Sequence, residues 1–479
     1  MVFMAFIAMH VCSQNHAKDR FEQFKKQVVN KYSDFRNEAN KKYADFLRQA
    51  WKEYQKKPAI PKPKEEKLQP VIMPENERNK IVEDNSITIE RVVTPPGPQP
   101  QPKPISPIME TIQPKEKSIV FSFYQTECKV RFPLDNKFSL NKCNNQTLAD
   151  AWQLLSEGSY DNTIKDCLEL REQYGLCDWA YINMLKAMAK ASLDNTNEAT
   201  LLTAFIYCQS GYDMRLGICN GKVCLLYASK HAIYDIGYYS INGKQYYPLE
   251  KQDGSMYICD ASFPKEKPLD LSIHTLMLFS YAPTLERTIQ SKRFPDMGAF
   301  VSTNHNLIDF YNTYPSSMMD NDFMTRWAFY ANTPMESKTK EQLYGCIKPT
   351  IEGMNEKDAV ERLLDFVQTG FVYEYDDKVW GYDRAFFSEE TLFYPYCDCE
   401  DRSILFSRMV RDLTGLKVTL VYYPGHLATA VRFTEPVKGD YLMIGNDRFT
   451  ICDPTYIGAP IGKTMPGMDN RQAKVIILP

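Results

Sequence analysis

The chain has 479 residues, 44% of them hydrophobic, enough for roughly two to four domains of about 100–200 residues with cores of useful size. With 57 Lys and Arg against 60 Asp and Glu, no global field recruits nucleic acid or an anionic membrane. An aromatic share of 13%, with 30 tyrosines, fits surface recognition and equally fits aromatic-lined cores; the second is the plainer reading.

Residues 1–13, MVFMAFIAMHVCS, form a short apolar run ending in Val11-x-Ser13, the small-residue pattern ahead of a signal-peptidase cut, expected before Gln14. No Lys or Arg precedes that run, so either the start lies further upstream or the run is no signal. We take the first and expect a secreted protein, or one of the periplasm or cell envelope. Lipidation at Cys12 is the weaker option, because Met9-His10-Val11 precedes it. No later stretch reaches the ~18 uncharged apolar residues of a bilayer span. Twelve more cysteines, from Cys128 to Cys452, lack the dense spacing of a disulfide scaffold and are expected to be inert buried groups.

Apolar residues then recur at Phe21, Phe24, Val28, Tyr32, Phe35, Ala39, Tyr43, Phe46, Ala50 and Tyr54, an eleven-residue repeat. Eleven residues in three turns keep one stripe almost straight, so residues 14–57 are expected to form a long amphipathic helix. Its stripe must be buried by self-association or by docking on the body. Prolines recur over residues 58–114, culminating in the run from Pro95 to Pro104, and predict a disordered linker.

Residues 115–290 read as an α+β middle domain. Ser118–Tyr124 and Cys128–Phe132 suggest a hairpin, helical patterns cover Thr147–Glu157, Cys177–Leu193 and Glu198–Ser210, and a tyrosine-rich β segment runs to about Cys259. The helix, glycine stop and strand over Asn197–Leu216 share their layout with Asp401–Leu420, setting Gly211 against Gly415 and Asn195 against Cys399. The middle domain is therefore a candidate degenerate copy of the C-terminal one, with chance similarity of one helix–strand unit as the alternative. Residues 291–357 are expected to be a helical connecting region.

The chemistry concentrates after residue 358. Leu405, Met409, Val410 and Leu413 give an apolar helical face ended by Gly415, and Asp398 with Asp401 suggests a cap that starts this helix at Cys399. A thiol in a first turn feels the positive end of the helix dipole, which favours the nucleophilic thiolate. The strand Lys417–Tyr423 follows, then Pro424-Gly425-His426 opens the strand Leu427–Phe433. Ile444–Asp447 reads as a turn, and Phe449–Thr455 as a strand ending in Asp453-Pro454, whose carboxylate could orient an imidazole. Taken singly, a Cys is usually packing, a His a satisfied polar group and Asp-Pro a turn; their order on these elements points to chemistry.

Cys399-Glu400-Asp401, the His-led strand and the closing Asp453-Pro454-Thr455 resemble the transglutaminase-like superfamily, including its secreted bacterial cysteine-peptidase-like members. Asp358–Tyr373 is similar to the helix that leads into such domains. The resemblance implies, for residues 358–479, a papain-like α+β core with the Cys helix packed on an antiparallel sheet. It implies Cys399 as nucleophile, His426 as base and Asp453 as orienting acid, with no cofactor. Family members usually have Gly-Asp-Cys where Cys397-Asp398-Cys399 stands here, and often an aromatic residue where Leu427 follows His426. The 27 residues from His426 to Asp453 exceed a simple hairpin, so Glu435–Asp440 is expected to be an excursion. The implied reaction is acyl-thioester formation on an amide of a peptide or protein substrate, with hydrolysis the default over amine transfer. Tyr394, Tyr396 and Trp380 are oxyanion-donor candidates by proximity in sequence. Two other readings remain: a structural metal held by Cys397, Cys399, His426 and Cys452, and a non-catalytic binding scaffold of the cell envelope.

Overall fold

The computed structural model describes residues 33–64, 68–78, 80, 83–111, 116–134, 138–194 and 196–479. The expected signal run, the first part of the long helix and Asn195 lie outside them. The architecture is mixed α+β. Helices pack against two large sheets, one in the middle of the chain and one near its end.

The N-terminal helix is described over residues 33–48 and docks on the body. Its buried face is Arg36, Ala39, Asn40, Tyr43, Ala44 and Leu47, spaced by three and four as a core-facing helix requires. Arg36 pairs with Asp161 at 2.5 Å, and Asn40 donates to Gln209 and accepts from Trp152. These bonds let polar residues share the buried face. They also turn Phe35 and Phe46, two members of the expected stripe, to 42% and 43% exposure. The helix does not continue to residue 57 as the eleven-residue period suggested. It ends at Arg48, and Lys52–Tyr54 joins the middle sheet antiparallel to Met256–Ile258.

The Pro-rich stretch is likewise no free tether in its described residues. Asn85–Thr88 adds parallel to Asp440–Met443 at one edge of the C-terminal sheet, and Val92–Val93 adds to Val475–Ile476 at the other. Ile60 bridges Tyr234, and Ile72 bridges Ile457. Proline removes donors but holds the chain extended, so residues between prolines can still pair with sheet edges. Near its end the stretch presses on Gly211 (φ +96°), where a Cβ would come within 2.1 Å of the Lys103 carbonyl oxygen.

The hairpin Glu116–Phe123 with Thr126–Pro133 leads into four helices, Asn145–Leu155, Asp161–Gln173, Asp178–Leu193 and Asn197–Gln209. The middle sheet follows, in the order 52–54, 256–259, 214–219, 222–228, 244–248, 239–241, all neighbours antiparallel. Residues 291–357 are not wholly helical. Gly298–Val301 pairs with Arg287–Gln290 before the helices His305–Tyr311, Thr325–Asn332 and Ser337–Ile347.

Helix Glu356–Gly370 packs on helix Cys399–Thr414, with Leu363, Phe366 and Val367 meeting Leu405, Phe406 and Met409 in one core. The C-terminal sheet beside them runs 85–88, 440–444, 447–452, 426–432, 417–423, 474–477, 92–93. The long interval between His426 and Asp453 is filled by an additional strand, Asp440–Ile444, antiparallel to Asp447–Cys452. No helix among the described residues is long and apolar enough to cross a membrane.

Candidate functional site

Helix Cys399–Thr414 starts where its cap dictates. The Asp398 side chain accepts from the Glu400 N–H at 3.1 Å, the Asp398 N–H donates to Asp401 Oδ2 at 3.0 Å, and Gly415 closes the helix at φ +72°. Asp401 also accepts from the Phe386 N–H at 2.9 Å, fixing the preceding loop. Burial, aided by the charge of Asp398, pushes the Asp401 carboxyl well above its usual range. Cys399 is thus the first helical residue, at the positive end of the dipole.

Two buried contacts fix this helix on its neighbours. Arg402 donates to the Gln368 and Phe371 carbonyls at 3.2 and 2.8 Å, tying it to helix Glu356–Gly370. Ser403, one turn after Cys399, donates to the Leu427 carbonyl at 2.8 Å, tying it to the strand that His426 opens. Across the two-residue turn Pro424-Gly425, Tyr423 pairs with His426.

His426 Nε2 donates to Asp453 Oδ2 at 2.8 Å, with both side chains only 1% exposed. Asp453 follows directly on strand Asp447–Cys452, the neighbour of the His426 strand, and Thr429 of that strand donates to the Cys452 carbonyl. Its Oδ1 accepts from the backbone N–H groups of Thr455 and Tyr456 at 2.8 and 3.3 Å, so the carboxylate cannot swing away. His426 Nδ1 is buried and has no hydrogen-bond partner among the described residues. The imidazole is therefore held by one nitrogen and open at the other.

Cys399 and His426 line one small pocket, with room for about 10 Å³, together with Pro63, Arg326, Trp327, Asp383, Tyr422 and Leu427. Of the three residues singled out from sequence, Cys399 and His426 line this pocket, and Asp453 reaches it only through its bond to His426. Trp327 and Tyr422 stack at 5.5 Å, and the Arg326 guanidinium lies 4.5 Å over the Trp327 ring. Trp327 Nε1 is a second buried atom without a partner among the described residues. Sequence reasoning missed Pro63, Arg326, Trp327 and Tyr422; the first three stand more than seventy residues before Cys399, and nothing local marks them.

The oxyanion candidates chosen by proximity do not belong to this pocket's lining. Trp380 and Tyr394 pack with Phe386 around Arg384, and Tyr396 is 42% exposed. The four-ligand metal set does not converge either. Cys397 Sγ lies 3.8 Å from the Val372 carbonyl and Cys452 Sγ 3.6 Å from the Thr450 carbonyl. Among the described residues, the groups with metal-ligand spacing are Asp398–Cys399–Glu400 and Asp376–Asp383–Glu400, neither containing His426. None of the twelve cysteines from Cys128 onward is in a disulfide, and burial pushes the Cys397 thiol up.

Comparison with protein-family models and with characterised proteins returns no match.

Proposed function

We propose that the chain is a transglutaminase-like cysteine enzyme that acts on amide bonds of peptides or proteins, with a papain-like core over residues 358–479. The observation that carries this reading is the half-engaged imidazole: His426 is clamped through Nε2 by Asp453 and keeps Nδ1 unpartnered in the pocket that Cys399 lines. A buried histidine serving packing alone tends to satisfy both nitrogens. A general base needs one nitrogen fixed and the other open.

In this reading the Cys399 proton passes to His426 Nδ1 as Sγ attacks the amide carbonyl carbon. The oxyanion accepts a hydrogen bond from Trp327 Nε1–H, an otherwise unused buried donor. The C–N bond breaks as Nδ1 returns the proton to the departing amine, leaving an acyl-thioester on Cys399. Water, deprotonated by the same nitrogen, releases the acid and restores the thiol. Asp453 stabilises the imidazolium throughout.

A second reading, a binding scaffold that has kept the arrangement without turnover, draws on the 3% exposure of Cys399. Incubation with peptide amides, followed by mass spectrometry of products, separates the two. Because Cys399 and His426 are closed to peptide in the intact chain, the enzyme reading expects cleaved or deamidated peptide from protein whose residues 59–74 have been excised and none from the same protein carrying Cys399→Ala; identical product levels from both would overturn it.

A further inference from the structure

Cys399 and His426 are each 3% exposed, so no peptide can reach them as the chain stands. Part of what covers them comes from far away in sequence. Ile60 bridges Tyr234 and its carbonyl accepts from the Asp235 N–H at 2.9 Å. Lys62 Nζ then donates to the Asp383 carbonyl at 2.7 Å, and Pro63 enters the lining of the Cys399 pocket itself. The Leu68 N–H donates to the Gly425 carbonyl at 3.3 Å, one residue before His426. Around Ile457, four residues past Asp453, the Val71 carbonyl accepts at 2.9 Å and the Met73 N–H donates at 2.9 Å. Met73, 4% exposed, sits in an apolar patch of Tyr456, Ala459 and Met465.

The contacts therefore progress from the Cys399 side of the pocket to the Asp453 side, through backbone bonds and one apolar anchor, as an extended peptide would. Charge agrees with this path. The neighbouring cleft, about 810 Å³, is walled by Asp235, Asp376, Asp377 and Asp383 and faced by Lys62 and Lys64.

We propose that residues 60–64 and 68–73 are an internal strap occupying the substrate cleft, and that the chain is latent until this strap is displaced. The inference rests on the enzyme reading for what the cleft does, and not for what fills it. The strap also names the class of ligand the cleft fits: an extended segment that is cationic beside Asp383, compact at the pocket and apolar near Tyr456.

The test uses the full chain with specific protease sites inserted between Pro58 and Ala59, exposed and half-buried, and between Pro74 and Glu75, both exposed. The rate of Cys399 alkylation by iodoacetamide is read by mass spectrometry before and after excision. We expect a rise of roughly tenfold or more, reversed by adding back a synthetic peptide of residues 59–74. An unchanged rate in a nicked protein that keeps its thermal unfolding midpoint would overturn the strap. Should the nicked protein unfold, the uncut variant Lys62→Glu with Leu68→Pro removes the ammonium contact and the N–H to Gly425; it should also raise the rate, and a wild-type rate there would overturn the proposal. Faster alkylation without any peptide-amide turnover, and with no change on His426→Ala, would support the strap and sink the enzyme reading.

Discussion

The middle and C-terminal halves carry the same five strands in the same order. In the C-terminal sheet the run 440–444, 447–452, 426–432, 417–423, 474–477 is antiparallel throughout, and in the middle sheet 239–241, 244–248, 222–228, 214–219, 256–259 repeats it, each after a helix and a positive-φ glycine. Even the registers agree. Cys219 pairs with Lys222 across Asn220-Gly221 as Tyr423 pairs with His426 across Pro424-Gly425. Ala430 pairs with Ile451, two residues before Asp453, and Leu226 pairs with Pro248, two residues before Glu250. Lys222 thus stands where His426 does, and Glu250 where Asp453 does. One strand arrangement appears twice, and of the two sequences only the C-terminal one has a thiol, an imidazole and a carboxylate at positions 399, 426 and 453, where the other has Asn195, Lys222 and Glu250.

The middle half does contain a buried histidine with an acid. His231 Nε2 meets Asp270 at 3.1 Å, but its Nδ1 meets Ser317 Oγ at 3.1 Å, and burial pushes the imidazole below its usual range. Both nitrogens are engaged. His426, with one nitrogen open, differs in the respect that matters for proton transfer.

The comparison breaks most sharply if the two copies respond alike to substitution. In strap-excised protein, Cys399→Ala should lower peptide-amide turnover by roughly 10⁴-fold or more, whereas Lys222→Ala, at the register position of His426, should leave turnover unchanged in the same assay. Asp453→Asn keeps the base but disturbs its orientation, and should cost about 10²–10⁴ in kcat with little change in KM. Trp327→Phe keeps an aromatic ring, though a smaller one, and removes the unused N–H. Steady-state kinetics should show a loss of roughly 10²–10³ in kcat, and a wild-type kcat would remove Trp327 from the oxyanion role. Cys397→Ala, whose thiol faces the Val372 carbonyl, should change turnover by no more than about threefold.

The smallest effect is on stability. Burial pushes the Glu389 and Glu390 carboxyls up to about 7. Glu389 Oε1 accepts from the Glu336 N–H at 2.6 Å, while its Oε2 has no partner among the described residues. Between about 4.5 and 7 the folded state binds more protons than the unfolded one, so stability falls as pH rises through that window. Urea midpoints measured from pH 5 to 8 should decline, and Glu389→Gln should flatten that slope.

The site was legible where chemistry is local. A capped helix start at Cys399, a glycine-turned strand at His426 and a strand end near Asp453 each carry their own signal; the helix and the His426 strand start where expected, while the last strand stops at Cys452, one residue short of Asp453. The extra strand Asp440–Ile444 was not legible because its partner Asn85–Thr88 comes from the Pro-rich stretch, which composition alone assigns to a linker. Helix Asp161–Gln173 was missed because Tyr160 provides no side-chain cap and Arg171 on its buried side is held by Pro102 and Tyr212, partners remote in sequence. The eleven-residue stripe overran the N-terminal helix for a related reason: pairing of Lys52–Tyr54 with Met256–Ile258 outweighs a local helical period.

The most direct measurement traps the acyl-enzyme. Strap-excised protein is mixed with a peptide amide, quenched in acid and digested, and the peptide carrying Cys397 and Cys399 is sequenced by mass spectrometry. A hydroxylamine-labile adduct on Cys399, absent from Cys399→Ala and from His426→Ala, is the expected result. An adduct on Cys397, or one on Cys399 that forms equally fast without His426, would contradict the assignment of Cys399 and His426 as nucleophile and base.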